Sequence, residues 1–129
     1  MNEIIINITT NLINYHTLLT DIEKKLIEMK IINKQNSMLD DITIRDAMGS
    51  VEIYPNVLLP HIRQHYVNKT RIILVRNMST PIIWQKKKVN LIILVLMPIN
   101  ANENDKNTIR NFMKCLANED YIQNLITKE

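Results

Sequence analysis

Two apolar runs in the second half of the chain constrain the fold more than any other feature. The run "RIILV" spans residues 71–75, and the run "LIILVLM" spans residues 91–97. A strand with one face in water alternates apolar and polar residues, whereas a strand covered on both faces is apolar nearly throughout. The two runs therefore predict strands of a sheet that has other elements packed on both of its faces.

The segment "TDIEKKLIEMKII" predicts an amphipathic helix. Ile22, Leu26 and Met29 fall on one face of it, and the charged residues lie opposite. Thr20 and Glu23 have the spacing of a capping box, in which each side chain bonds a free backbone N–H at the helix start. We therefore expect this helix to begin at Thr20.

Three further helices are predicted. The segment "SMLDDITIRDAMG" has Ser37 as an N-cap and Gly49 just past its end. After Pro98 the chain is polar, and "TIRNFMKCLANEDYIQNLITKE" then carries two apolar stripes that Asn118 separates. This pattern predicts two closing helices, with Cys115 packed against its neighbours.

The middle of the chain reads as several short strands. "VEIY" alternates, Pro55-Asn56 makes a turn, and "VLL" leads to Pro60, while "PIIW" adds a short strand and "QKKK" a solvated turn. The first fifteen residues fit either a strand or a short helix. A block of strands between pairs of helices predicts an α/β (α+β) fold, a mixed β-sheet flanked by helices on both faces, as a single domain over residues 1–129.

Composition excludes several classes of function. The net charge of +3 is mild and the basic residues are scattered, while aromatic residues make up 5% of the chain. Both features argue against direct nucleic-acid contact, which needs clustered positive charge and stacking side chains. The one cysteine excludes an internal disulfide or a cysteine-rich zinc site, and the one glycine excludes a phosphate-cradling glycine loop. No cofactor is expected.

The chain is expected to be cytoplasmic. A single cysteine fits a reducing compartment, and no targeting signal opens the sequence. The run "VNLIILVLMP" is too short to cross a bilayer, so we expect no membrane insertion.

His61 is the residue best placed for chemistry. Proline has no N–H, so "VLLP" reads as a strand that stops, with His61 exposed at its end. One interpretation is an ordinary surface or core histidine. A second is a metal pair, because His61 and His65 would share one face of a helix, although no third ligand is evident.

A third interpretation is a phosphoryl acceptor. Neutral imidazole is a nucleophile near pH 7, and a bound phosphoryl group demands positive neighbours. The basic candidates are Arg63, His65, Arg45 and Arg71. Among such side chains, the arginine fork suits phosphate oxygens best.

The stretch "IRDAMGSVEIYPNVLLPH" resembles the mannitol/fructose-class (type 2) enzyme IIA domain of the bacterial sugar phosphotransferase system. Arg45-Asp46 is similar to the Arg-acidic pair of that family, Gly49-Ser50-Val51 to its small-residue step, and Val57 to His61 to its apolar run ending in Pro-His. "PIIW", "VNLIILVLM" and the closing helix stripes follow in the family order. The resemblance extends over about residues 18–126.

This resemblance implies a role for each matched residue. His61 would take a phosphoryl group from phospho-HPr and pass it to a cysteine of an enzyme IIB domain. Arg45 would help to hold the phosphoryl group. No metal and no cofactor are implied.

The departures from the family pattern suggest a regulatory domain. The glycine-rich turn is replaced by "YPN", the glycine after Pro-His is Ile62, and Asp105 lies near the expected second histidine. An ionised aspartate would repel a phosphoryl group, and His65 is an auxiliary candidate. With its Pro-Ile-x-Trp segment "PIIW" and without the second histidine, the chain is similar to enzyme IIA-like domains of antiterminator and activator regulators. A free-standing transport component, a degenerate interaction domain and a homodimer all remain open.

Overall fold

The computed structural model describes residues 4–77 and 79–127. In chain order, the helices and strands in this part are β1 (Ile5–Thr9), α1 (Tyr15–Glu28), α2 (Ser37–Met48), β2 (Glu52–Tyr54), β3 (Val57–Leu58), β4 (His61–Arg63), β5 (Arg71–Arg76), β6 (Ile82–Trp84), β7 (Lys87–Val89), β8 (Leu91–Met97), α3 (Glu103–Cys115) and α4 (Glu119–Thr127). Within the first fifteen residues, which fitted either a strand or a short helix, Ile5–Thr9 form the strand β1.

The main sheet is mixed and has the two long apolar strands at its centre. Its order is β1-β5-β8-β3-β2, and β4 also pairs with β8. The pair β5–β8 is antiparallel, whereas β1 runs parallel to β5, and both β3 and β4 run parallel to β8. The α/β fold class predicted from the sequence is confirmed.

Alternate residues of the central strands enter two separate cores. On β8, Ile92, Leu94 and Leu96 pack with α1 and α2, whereas Ile93 and Val95 pack with α3 and α4. Burying one such side chain contributes about 1.5–3 kcal/mol, so a strand covered on both faces is stabilised by apolar residues at every position. The prediction drawn from the two apolar runs is confirmed.

The strands β6 and β7 form a hairpin on the α1/α2 side of the sheet. Ile82, Trp84 and Val89 are buried there in the core shared with the two helices. Gln85 and Lys86 have φ angles of 49° and 70°, as a tight two-residue turn requires. The predicted turn "QKKK" is therefore too long, because its last two lysines belong to β7.

The helix α1 starts earlier than its predicted capping box. Asn14 is the N-cap, and its side chain accepts a hydrogen bond from Thr17 N at 3.1 Å. Thr20 lies inside the helix and its hydroxyl bonds the carbonyl of His16 at 2.9 Å. The prediction that Thr20 caps the helix is wrong, and so is the placement of Met29 on the buried face, since Met29 is 44% exposed.

Glu23, the second residue of that predicted box, stabilises the start of α2 instead. Its Oε1 accepts a hydrogen bond from the backbone N–H of Asn36 at 2.9 Å. Asn36 is the N-cap of α2 and makes no side-chain cap of its own, so the predicted cap Ser37 is wrong by one residue. Gly49 ends the helix with its N–H on the carbonyl of Asp46 and a φ of 151°, as predicted.

The closing helices are separated as expected. Asn118 lies between α3 and α4, and its side chain accepts a hydrogen bond from Tyr121 N at 3.1 Å. Cys115 is exposed, so its predicted packing is wrong. Within residues 4–77 and 79–127, no helix combines the length and apolar character needed to cross a bilayer.

Candidate functional site

His61 lies at an interruption of the sheet, not at its end. The strands β3 and β4 pair with β8 in the same register, with Leu58 opposite Ile92 and His61 opposite Val95. Pro60 separates the two strands, yet its carbonyl still accepts a hydrogen bond from Val95 N at 3.0 Å. The predicted end of the strand at Pro60 is thus a break, after which the chain resumes as β4 with His61 as its first residue.

The strand period decides what β4 presents to solvent. Its three residues are exposed, buried and exposed in turn. Ile62 is 4% exposed and packs in the core with α1 and α2, so it anchors the strand. Because side chains alternate along a strand, His61 and Arg63 both project from the exposed face of β4.

A cavity between α2 and β4 brings the predicted residues together. Its volume is about 310 Å³. Its lining consists of Asp41, Ile42, Ile44, Arg45 and Met48 from α2, and Pro60, His61, Ile62, Arg63 and Gln64 from β4 and its flanks. Arg45 and His61, which are distant in sequence, therefore share one site, and Arg63 joins them.

The environment of His61 favours the neutral imidazole. Partial burial lowers its pKa first of all, because desolvation disfavours the charged ring. The positive guanidinium of Arg63 lowers the pKa further by Coulomb repulsion. A neutral ring nitrogen keeps its lone pair and can act as a nucleophile.

The two arginines of the site each use one guanidinium nitrogen on a backbone carbonyl. Arg45 Nη1 donates to the carbonyl of Gly49 at 3.3 Å, and Arg63 Nη2 donates to the carbonyl of Ile99 at 2.9 Å. A guanidinium has five N–H donors, so both groups retain donors for an anion. Arg71, a further candidate, is on β5 and bonds the carbonyl of Thr70; it does not line the cavity.

His65 does not share the cavity with His61. It lies in the turn after β4, is exposed, and its ring is 6.1 Å from that of Tyr66. Because His61 starts a strand, the two histidines do not share one face of a helix, so the basis for a metal pair is wrong. In residues 4–77 and 79–127, no group of three metal-ligating side chains comes together.

Asp105 occupies the first turn of α3. Its backbone N–H donates to the Asn102 side chain, which caps the helix, at 2.8 Å. The helix starts six residues after β8 ends at Met97, which pairs with Arg63. Because β8 ends beside β4, the connection that leads to α3 and Asp105 leaves the sheet next to β4.

Sequence reasoning missed the way in which α2 is held beside the site. Tyr66 Oη donates to Asp41 Oδ2 at 2.6 Å, and Trp84 Nε1 donates to Asp46 Oδ2 at 2.8 Å. These partners are 25 and 38 residues apart, and no local pattern predicts such pairs. Arg63, by contrast, was among the basic residues expected around His61, and it lines the cavity.

The rim of the cavity is apolar. Ile44 is 56% exposed and Met48 is 77% exposed, and both belong to the α2 stripe that lines the cavity. Large exposed apolar side chains that lie close together are typical of surfaces that contact another protein.

The whole sequence, residues 1–129, matches the model of the family described as phosphoenolpyruvate-dependent sugar phosphotransferase system, EIIA 2. No curated protein sequence matches the chain. Among solved structures, the nitrogen regulatory protein IIA-Ntr from Neisseria meningitidis is similar, with a TM-score of 0.69 and 19% identity over 98% of this chain and 90% of that one.

Two streptococcal structures are also similar in fold. A protein described as a PTS IIA domain from Streptococcus pyogenes has a TM-score of 0.63 and 15% identity, over 97% of this chain and 82% of that one. A protein described as PTS IIA (PtxA) from Streptococcus mutans has a TM-score of 0.63 and 15% identity, over 97% and 80%.

Proposed function

This chain belongs to the EIIA 2 family of the phosphoenolpyruvate-dependent sugar phosphotransferase system, and we propose that His61 is its phosphoryl acceptor, with phospho-HPr as the donor. The observation that carries the proposal is the cavity in which His61, Arg45 and Arg63 meet. A nucleophilic ring that shares a cavity with two guanidinium groups suits a phosphoryl group, which carries a charge of roughly −1.5 to −2.

The proposed step is a displacement at phosphorus. The free nitrogen of the neutral His61 ring attacks the phosphorus of the donor phosphohistidine. A new P–N bond forms on His61 as the donor P–N bond breaks, and the electron pair of the broken bond stays on the donor ring nitrogen. The N–H on the other nitrogen of His61 stays in place, so no other reactant is needed.

Positioning and charge neutralisation supply most of the catalysis in phosphoryl transfer. Arg45 on α2 and Arg63 on β4 line the same cavity as the proposed acceptor. Each guanidinium can present a fork of N–H donors to the phosphoryl oxygens. Both arginines would also stabilise the phosphohistidine once it has formed.

The consequence of phosphorylation is proposed to be regulatory. The family's second histidine is absent near Asp105, and a carboxylate there opposes the close approach of a phosphoryl group. His65, the auxiliary candidate, lies outside the cavity. We therefore assign this chain as a cytoplasmic phosphohistidine domain of a sugar-responsive transcriptional regulator, whose partner contacts change with phosphorylation.

Intact mass spectrometry after incubation with phosphoenolpyruvate, enzyme I and HPr tests the proposal. We expect one acid-labile phosphoryl group on the wild type and on His65→Ala, and none on His61→Ala. Absence of the label from the wild type would refute phosphorylation itself. A chase with enzyme IIB tests the alternative: rapid loss of the label to IIB would favour a transport relay over the regulatory role.

A further inference from the structure

The helix α2 is held by two hydrogen bonds between a carboxylate and an aromatic donor, one on each side of Arg45. Tyr66 Oη binds Asp41 at 2.6 Å, and Trp84 Nε1 binds Asp46 at 2.8 Å. From this arrangement we infer that Tyr66 and Trp84 are positioning residues, which hold α2 so that Arg45 stays at the cavity that it shares with His61. The inference rests on the proposed phosphoryl transfer to His61.

Helix geometry explains why two anchors are needed. At 3.6 residues per turn, Arg45 points roughly 40° away from Asp41 around the helix axis, and Asp46 points roughly 140° away from it. Arg45 thus lies between the two anchored directions. One hydrogen bond would let the helix roll about its axis, whereas two bonds in different directions fix the roll and with it the direction of Arg45.

The anchor at Tyr66 is rigid. Tyr66 is 3% exposed, and its ring belongs to the core beneath α1 and α2. Burial and the bond to Asp41 both raise the pKa of the phenol, so its hydroxyl remains a donor throughout the physiological range. Asp41 lies one turn before Arg45 and lines the same cavity.

The anchor at Trp84 is held by the hairpin and by α1. Trp84 is 4% exposed, and its ring lies 4.9 Å from that of Tyr15. Its strand partner is Lys87, which forms an ion pair with Glu52 on the edge strand β2. The contacts with α1, with β7 and, through Lys87, with β2 therefore fix the position of the indole N–H that donates to Asp46.

The last turn of α2 has few other restraints. The helix ends at Gly49, whose N–H donates to the carbonyl of Asp46 at 3.2 Å. The one described hydrogen bond of the Arg45 side chain goes to the carbonyl of Gly49, at 3.3 Å. A cavity of about 390 Å³, lined by Asp46, Gly49 and Trp84, leaves room for the turn to move. Helix ends fray when their restraints are weak, so the loss of Trp84 Nε1–H would free Arg45.

The test removes each donor and keeps the ring. Trp84→Phe and Tyr66→Phe should each slow phosphorylation of His61 by phospho-HPr roughly tenfold, because a guanidinium that is no longer held loses much of its effect on the transition state. In an Arg45→Ala background the same substitutions should change the rate less than about twofold, since they act through Arg45. Equal losses with and without Arg45 would overturn the inference.

Tyr54→Phe is the matched control. Its hydroxyl donates to Glu119 at 3.2 Å and accepts from Gln123 at 2.7 Å, both on α4 on the other side of the sheet. The substitution removes a tyrosine–carboxylate bond of the same kind without touching α2. It should leave the phosphorylation rate unchanged in both backgrounds.

A second measurement makes the test independent of phosphoryl transfer. The side-chain order parameter of the Arg45 Nε–H group, measured by NMR relaxation on the unphosphorylated protein, should fall in Trp84→Phe and Tyr66→Phe but not in Tyr54→Phe. If Trp84→Phe does not fold, Tyr66→Phe alone carries the test, because Asp46 is half-buried and its carboxylate also interacts electrostatically with Arg45. If the order parameter of Arg45 is unchanged in these variants, the inference is wrong even if His61 is phosphorylated. If the order parameter falls in the variants but the wild type takes no label, the result counts against the proposed function alone.

Discussion

The carbonyl of Pro60 accepts a hydrogen bond from the backbone N–H of Val95 at 3.0 Å. This bond keeps the chain in register with β8 across the break between β3 and β4. Pairing with the central strand β8 therefore places His61 at the cavity. Proline lacks an N–H but keeps its carbonyl, and the carbonyl is the group that accepts the hydrogen bond from Val95. A proline can therefore occupy this position in the strand pair. His61 is thus held by the sheet and still lies at a gap in it.

Arg45 is expected to stabilise the phosphorylated state. Arg45→Ala should slow phosphorylation and shorten the lifetime of the phosphohistidine by about tenfold or more, because one preorganised donor to the phosphoryl oxygens is lost. The measurement is the decay of the label after HPr is removed. Arg71→Ala is the control, because Arg71 lies outside the cavity; equal lifetimes for both variants would remove Arg45 from the site.

Arg63 is expected to contribute to the lowered pKa of His61. Burial lowers the pKa of the ring most, and the charge of Arg63 lowers it further, so Arg63→Gln should raise that pKa part of the way toward its ordinary value. The measurement is an NMR titration of the His61 ring protons, with Arg71→Gln as the comparison. A titration that Arg63→Gln leaves unmoved would mean that burial alone lowers the pKa.

The lowered pKa of His61 also predicts how stability depends on pH. A histidine whose pKa falls on folding binds protons less well in the native state than in the unfolded state. The unfolded state therefore gains protons first, and stability decreases as the pH falls from about 6.5, the ordinary histidine value, down through the lowered one. Urea unfolding at a series of pH values should show a smaller decrease for His61→Gln than for the wild type, and identical slopes would contradict the pKa direction.

Glu23 is expected to stabilise the start of α2 from a distance. Glu23→Ala leaves the N–H of Asn36 without its acceptor and should lower the free energy of unfolding by about 1–2 kcal/mol. Urea denaturation measures the difference, and Glu28→Ala on the exposed end of the same helix is the control. A loss no larger than that of the control would show that the cap contributes nothing.

The parts of the fold that local patterns decide were predictable. The strands β5 and β8 follow from unbroken apolar runs, and α2 ends at Gly49 because only glycine readily adopts the backbone angle found there. The placement of His61 near a strand boundary followed from Pro60.

What depends on distant contacts was not predictable. The helix α1 begins at Tyr15 rather than Thr20, and the ring of Tyr15 packs on Trp84, far along the chain. Glu23 looked like a cap for its own helix, but it bonds Asn36 after the chain has turned back. The hydrogen bonds of Asp41 and Asp46 to aromatic donors likewise exist only once the sheet is formed.

The phosphoryl group is proposed to reside on His61, and a two-dimensional ¹H–³¹P NMR correlation on the phosphorylated wild-type protein can identify the residue that carries it. We expect a single phosphorus signal coupled to the ring protons of His61. Coupling to the ring protons of His65 or His16 instead would contradict it.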